Sequence, residues 1–364
     1  TAREAEFPID FGALIQGRLV FPFVRLSEPE VSLERAADGQ RNWILKASDD
    51  GTALAPEIRQ LSIDRGVVRY RDAVEAVDMR ANVSRQADAS QRPTKIVFSG
   101  TYKKVPMTGE AQAAPVLNLR NTDEAFSMRL HLTAGQTVFE ADGEFTDLAH
   151  FSKIDARLKI RGPDWARLYP VLPLALPSSP PYRFEGRLKR EGNRTTYENF
   201  SGRVGGSDLS GTGTFLMRDP RPFLTADLQS KVLHLQGLGP IVGAKPQMTH
   251  AAKNPAAAGK VLPTDPFELE RLNSMDADVT LKAHQLRRPT QLPLDDLQTR
   301  LKLDNGVLAL NPLRFGIAGG TIDSAVTLDA HHNPIRTQAS VRLKNARINQ
   351  LFPTVKLMKD SDGR

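Results

Sequence analysis

Residues 187–216 read RLKREGNRTTYENFSGRVGGSDLSGTGTFL, and residues 300–329 read RLKLDNGVLALNPLRFGIAGGTIDSAVTLD. At a constant offset of 113 positions, Arg187-Leu188-Lys189 falls on Arg300-Leu301-Lys302. Phe200, Val204, Gly206, Leu209 and Phe215 fall on Leu313, Ile317, Gly319, Ile322 and Leu328. Apolar positions keep their parity between the copies. Parity is the side-chain rule of a β-strand, whose successive residues point to opposite faces. The chain reuses one β-unit, and such reuse favours a long open structure over a compact enzyme.

The same pattern extends beyond the two copies. Segment 58–70 alternates through Leu61 and Ile63, turns at Asp64 to Gly66, and alternates again through Val68 and Tyr70. Segment 301–310 does likewise through Leu301 and Leu303, turns at Asp304 to Gly306, and alternates again through Leu308 and Leu310. In both, Asp and Gly occupy the turn: glycine supplies a positive φ and Asp a local hydrogen bond, so each reads as a hairpin. Val31 to Arg35 before Asp38-Gly39, Phe184 to Leu188 before Gly192-Asn193, and Val138 to Phe145 have the same form. A second recurring piece runs from a strand into a short helical turn and stops at proline. It spans Leu158 to Pro170, Val341 to Pro353 and, in a shorter version, Val232 to Pro240. Proline ends it because it continues neither a helix nor a sheet ladder.

The expected fold is mainly β: an elongated, repeat-built, curved antiparallel sheet, a β-groove or half-pipe, with short helical turns. Residues 84–94 read as a polar loop and 243–264 as a flexible linker, with a helix expected at Pro266 to Asn273. This gives an N-terminal hairpin region at 1–83, a central repeat region at 95–242, the linker at 243–264 and a C-terminal repeat region at 265–364. Together they form one continuous body.

The 364 residues hold no cysteine, which excludes disulfides, thiolate metal sites and cysteine nucleophiles. Net charge is +7, but Lys and Arg are interleaved with Asp and Glu and no run of five like charges occurs. A nucleic-acid groove clusters its positive charge, so no nucleic-acid partner is expected. No window reaches the ~18 apolar residues of a membrane helix. The first residue is Thr1, so a preceding segment is expected to have been removed.

No catalytic constellation is legible. Gly205-Gly206-Ser207 is not a nucleophile elbow, and its counterpart Gly319-Gly320-Thr321 lacks the serine. A tight turn or bulge suits the glycine pair. The seven histidines show no metal-ligand spacing, and His331-His332 sits beside Asn333-Pro334 in a turn. Asp295-Asp296 are neighbours on a strand and point apart. The chain is expected to be no enzyme, with no cofactor and no metal site.

What remains is an apolar face. Either a second sheet covers it, as in a sandwich, or it lines an open trough, which is a liability unless something binds there. The candidate lining residues are Leu61, Ile63, Val68 and Tyr70; Phe200, Val204, Leu209 and Phe215; Leu301, Leu303, Leu308 and Leu310; and Leu313, Phe315, Ile317, Ile322, Val326 and Leu328. On the open alternative, Leu303→Arg leaves the chain folded and reduces lipid co-purification. On the covered one it buries a charge and unfolds the protein.

Several segments resemble the AsmA-like proteins of Gram-negative bacteria, the AsmA, TamB and YhdP type. Gly17-Arg18-Leu19-Val20, through Pro29 to Arg35, to Asp38-Gly39-Gln40-Arg41-Asn42-Trp43 is similar to the family's N-terminal pattern. Gly162-Pro163, Leu168-Tyr169-Pro170 and Pro180 to Leu188 resemble its central repeat. Leu294-Asp295-Asp296-Leu297 and Leu313 to Gly320 resemble its C-terminal repeat. The resemblance implies a groove-like body in the periplasm, held to the inner membrane by an N-terminal helix that this sequence lacks. It implies a role in carrying phospholipid acyl chains and in outer-membrane biogenesis, without catalytic residues. The alternative is a non-catalytic β-sandwich scaffold for outer-membrane assembly proteins, gripping partners through strand edges.

Overall fold

The alternation of 187–216 becomes strand, turn and strand in a computed structural model of the chain. It describes residues 1–42, 57–58, 60–86, 91–114, 117–118, 124–146, 151–169, 171–172, 176, 178–234, 273–287, 294–332, 335–345 and 347. Two units separate: Thr1–Ile160 with Leu188–Gly192, and Arg161–Arg187 with Asn193–Arg364.

The first unit contains β1 (Glu4–Glu6), the helix α1 (Phe11–Ile15), β2 (Val20–Phe21), β3 (Val24–Ser27), β4 (Glu30–Arg35), β5 (Glu57–Ile58), β6 (Gln60–Ile63) and β7 (Arg65–Asp72). It continues with β8 (Val77–Arg85), β9 (Thr94–Tyr102), β10 (Val105–Ala113), β11 (Leu117–Asn118), β12 (Phe126–Ala134), β13 (Thr137–Thr146) and β14 (Lys153–Gly162). Its main sheet starts with β4 parallel to β7 and then runs antiparallel through β8, β9, β10, β12 and β13. Beside it, β1, β3, β6 and β11 form a small second sheet.

One hairpin expectation fails here. β6 pairs with β3 and β11, whereas β7 pairs with β4 and β8. The chain bends at Asp64 and the alternation on either side of it serves two different sheets. Leu61 and Ile63 therefore do not continue the row of Val68 and Tyr70. Alternation reports which face a residue takes, not which strand lies next to it.

The second unit carries β15 (Tyr182–Glu191) up to Arg187, β16 (Arg194–Val204), β17 (Ser207–Leu216), β18 (Phe223–His234), β19 (Asp276–Arg287), β20 (Leu294–Asp304), β21 (Val307–Ile317), β22 (Gly320–Asp329) and β23 (Arg336–Lys344). The 113-residue offset is a structural period. Shifted by it, β16 and β17 coincide at both ends with β21 and β22. The bulge between Tyr197 and Phe200 falls on the bulge between Leu310 and Leu313. The turn at Gly205-Gly206 falls on Ala318-Gly319, and Gly205 and Ala318 share a left-handed φ near 50°. Asn305-Gly306, at φ 47° and 76°, closes β20 onto β21 as a two-residue turn with the mirror-image twist that hairpins need.

β18 and β19 pair in parallel from Phe223↔Asp276 to His234↔Arg287. One sheet thus crosses the 243–264 boundary; the linker itself and the helix expected at Pro266 to Asn273 lie outside the described residues. The strand-to-helical-turn piece is present once as β14 followed by a 3-10 turn at Trp165–Leu168, capped by Asp164 accepting from the Ala166 N–H at 2.9 Å. The helical turns of the other two copies lie outside the described residues. Across residues 84–94, β8 ends at Arg85 and β9 begins at Thr94.

The core sits on one face of each sheet. In the first unit Ala111, Ala113, Met128, Ala141, Phe145 and Ala156 are buried together. In the second, Met275, Ala277, Leu303, Leu308 and Leu328 form one cluster and Leu233, Ala283, Leu286 and Leu297 another. These partners come from neighbouring strands of a single sheet, not from two sheets facing each other. Within each unit the described strands therefore bury their apolar face along one sheet, not between two sheets packed face to face.

Candidate functional site

Register decides which candidate residues meet. Leu303 lies opposite Leu308 and Leu301 opposite Leu310. Leu308 then faces Leu328, Leu310 faces Val326 and Phe315 faces Ile322. Leu308 and Leu310 are even-numbered while Leu313, Phe315 and Ile317 are odd. The bulge at Asn311-Pro312 resets the parity, so all five share one face. The same happens in the first copy. Phe200 pairs with Gly211, Gly202 with Leu209 and Val204 with Ser207, while Phe215 faces Leu224 of β18. Leu224 pairs in turn with Ala277, and Ala277 with Leu303. Fourteen of the candidate residues thus occupy one continuous face across β16 to β22. Seven strands at ~4.8 Å spacing span roughly 29 Å.

That face is graded in depth. Leu303, Leu308, Leu328, Ile317 and Phe200 are buried. Leu301, Leu310, Leu313, Phe315, Ile322, Val326, Val204, Leu209 and Phe215 remain partly exposed. At the β23 margin Val341 and Leu343 face Ser324 and Ile322 on the same side, and they are 67% and 51% exposed. Side chains on neighbouring strands cover the deepest row and leave the rest accessible.

Aromatic rings line the β15–β16 part. Phe184 meets Phe200 edge-on at 5.4 Å, and Tyr197 stacks on Phe200 at 5.2 Å. Burial, with a smaller effect of the Glu185 charge, pushes the Tyr197 phenol well above its ordinary pKa, so it stays neutral. Gly202 makes room for this packing: a Cβ there would lie 2.6 Å from the Phe184 ring and overlap the Arg183 carbonyl.

In the first unit Val68 and Tyr70 belong to an equivalent face. Val68 pairs with Val31 and Ala81, and Tyr70 with Leu33 and Met79. The row continues as Phe98, Met107, Leu130, Leu132, Phe139 and Ala141, none of which is among the candidate lining residues. Phe98 and Met107 belong to the alternation of 94–113, diluted by glycines and threonines, and Phe139 and Ala141 to the Val138 to Phe145 alternation. Ile63 lies in the separate β6 sheet, opposite Leu26, and Leu61 lies in register with Val24 and Leu117.

The opposite faces are polar and internally paired. Arg69 reaches Glu30 at 3.1 Å, Arg300 reaches Asp278 at 2.6 Å and Lys344 reaches Asp323 at 3.2 Å. The Arg300 hydrogen bond holds the Asp278 carboxyl below the usual carboxylate range. The basic excess is thereby spread over cross-strand pairs. His331 and His332 both lie against Asp329, at 2.7 and 3.5 Å, on an exposed turn. Among the described residues no group of three or more His, Asp or Glu is placed to hold a metal ion. No described helix is long and apolar enough to cross a membrane.

A family model for AsmA matches residues 77–364. The chain belongs to the AsmA family. It is 29% identical over 392 residues to the AsmA family protein YhjG of Escherichia coli (strain K12), a match covering 96% of this chain and 57% of that protein. The chain spans little more than half the length of that curated relative. No solved structure matches it. The family match covers both copies of the 113-residue period, so the shared apolar face belongs to the AsmA part of the chain.

Proposed function

We propose that this AsmA-family chain binds phospholipid acyl chains along its apolar face and conducts them as part of outer-membrane biogenesis. The observation that carries this is the continuous face from Phe200 to Leu328, apolar across seven strands and partly open. Moving an acyl chain of ~16 carbons into water costs roughly 12 kcal/mol, at about 0.8 kcal/mol per methylene. A lined trough removes most of that barrier, and its open side leaves a headgroup in water. A row of aliphatic side chains without fixed polar contacts lets a chain slide, where a few sharp hydrogen bonds would trap it. The role is non-catalytic. The family resemblance supports a periplasmic location with attachment to the inner membrane.

The exposed edge strand β23 favours a second reading. All nine of its residues are exposed, and an uncovered strand edge can pair with a strand from another protein. On that reading the chain is a scaffold for outer-membrane assembly proteins.

Native mass spectrometry of gently extracted protein separates the two. The lipid proposal expects bound phospholipid that is lost in Leu310→Arg while the fold persists. Lipid-free protein in every preparation would contradict it.

A further inference from the structure

We propose that a basic cleft at the rim of the first unit's sheet binds a phosphate-bearing headgroup. This rests on the acyl-chain proposal for its lipid arm. The cleft has a volume of about 710 Å3 and gathers the ends of β4 and β7 with the turns after β7 and β9. It stands where the apolar face stops. Val31, Leu33 and Arg35 lie in step with Val68, Tyr70 and Asp72, so Arg35 and Asp72 end two apolar columns.

Four cationic side chains line the cleft, Arg35, Arg41, Arg71 and Lys104, against three carboxylates, Glu34, Asp72 and Asp78. The carboxylates are already engaged. Asp72 is buried; it accepts the Val74 and Glu75 N–H groups at 2.9 Å, the Tyr70 hydroxyl at 3.0 Å and one Arg35 nitrogen at 3.4 Å. Glu34 and Asp78 share Arg71 at 3.8 and 3.7 Å. Among the described residues, Arg35 and Lys104 keep donors to spare. Arg35 gives one terminal nitrogen to Asp72, and its Nε is buried without a hydrogen-bond partner among those residues. Lys104 is exposed at a left-handed turn position, φ 67°. Arg35 lines the cleft with its side chain 26% exposed, and a phosphate oxygen entering there offers the guanidinium a charge-assisted acceptor. Both Arg35 and Lys104 line this one cleft, so the proposed headgroup takes its phosphate there while its acyl chains follow the Tyr70 and Leu33 columns.

The test titrates the full chain with inorganic phosphate, dihexanoylphosphatidic acid and dihexanoylglycerol by calorimetry. Phosphatidic acid is expected to bind at least about tenfold more tightly than dihexanoylglycerol, to be displaced by inorganic phosphate, and to lose about tenfold in Lys104→Glu. Arg35→Lys is expected to weaken it too, since an ammonium does not replace the planar fork of guanidinium donors. Equal binding of the two lipids, unchanged in Lys104→Glu, overturns the cleft and leaves the acyl-chain proposal standing. Inorganic phosphate that binds through Lys104, with neither lipid binding more tightly, supports the cleft as a free-phosphate site and removes support from the acyl-chain proposal.

Discussion

Single residues on the apolar face divide by depth, and their substitutions should divide the same way. Leu308 is 3% exposed and packs among Leu303, Leu328 and Met275. Leu308→Ala should cost about 2–5 kcal/mol in urea unfolding, from lost transfer energy plus the cavity left behind. Leu303 is equally deep, which changes what its arginine variant tests: a charge there is buried by neighbouring strands whether or not a lipid binds. Leu303→Arg should therefore unfold the chain, whereas Leu310→Arg, on the partly exposed row, should fold and lose lipid. Circular dichroism melts of the two variants check this contrast. Asp72 gives a pH prediction. Burial alone would raise its pKa, but the Glu75 N–H, the Tyr70 hydroxyl, the Val74 N–H and Arg35 together hold it below the ordinary carboxylate value. A depressed folded-state pKa contributes stability that is present above about pH 4 and lost as the pH falls further. Asp72→Asn should flatten the acid limb of a stability-versus-pH curve; an unchanged limb would show that the carboxylate is not held this way. The Arg35–Asp72 pair had no signature in the sequence, because residues 37 positions apart meet only once β4 and β7 lie side by side.

At the scale of the element, the strands of the second unit were readable and their neighbours only partly so. The offset between Phe200 and Leu313 marked β16, β17, β21 and β22 because each copy conserves the spacing of its turns and of its bulge. The bulge was visible only as a conflict. Leu310 and Leu313 differ in parity yet both looked inward, and an extra residue at Asn311-Pro312 resolves it. The parallel pairs β4–β7 and β18–β19 left no trace, since parity carries no information about strand order. The failed hairpin at Asp64 has the same cause. Glycines on the inward face are element-level devices, and Gly202→Val should show it. A side chain there meets the Phe184 ring and the Arg183 backbone, and the cost should be about 1–3 kcal/mol by denaturant titration. A neutral result would mean that β15 and β16 do not approach as closely as described.

For the whole molecule, a repeat in sequence became a repeated surface: two copies of one strand pair, joined through β18, β19 and β20, present a single apolar face in the second unit. The first unit carries its own version, from Val68 and Tyr70 to Phe139 and Ala141. The polar sides bind their charges in cross-strand pairs, leaving the apolar sides as the surfaces that ask for a partner. Site-specific photo-crosslinking in cells tests this most directly. A photoreactive residue at Leu310, Leu313, Phe315 or Val326 is expected to yield phospholipid adducts. The same residue at Lys302, Arg314 or Thr327, on the opposite face, is expected to yield none. Adducts of equal yield on both faces, or none on the apolar one, would contradict the account.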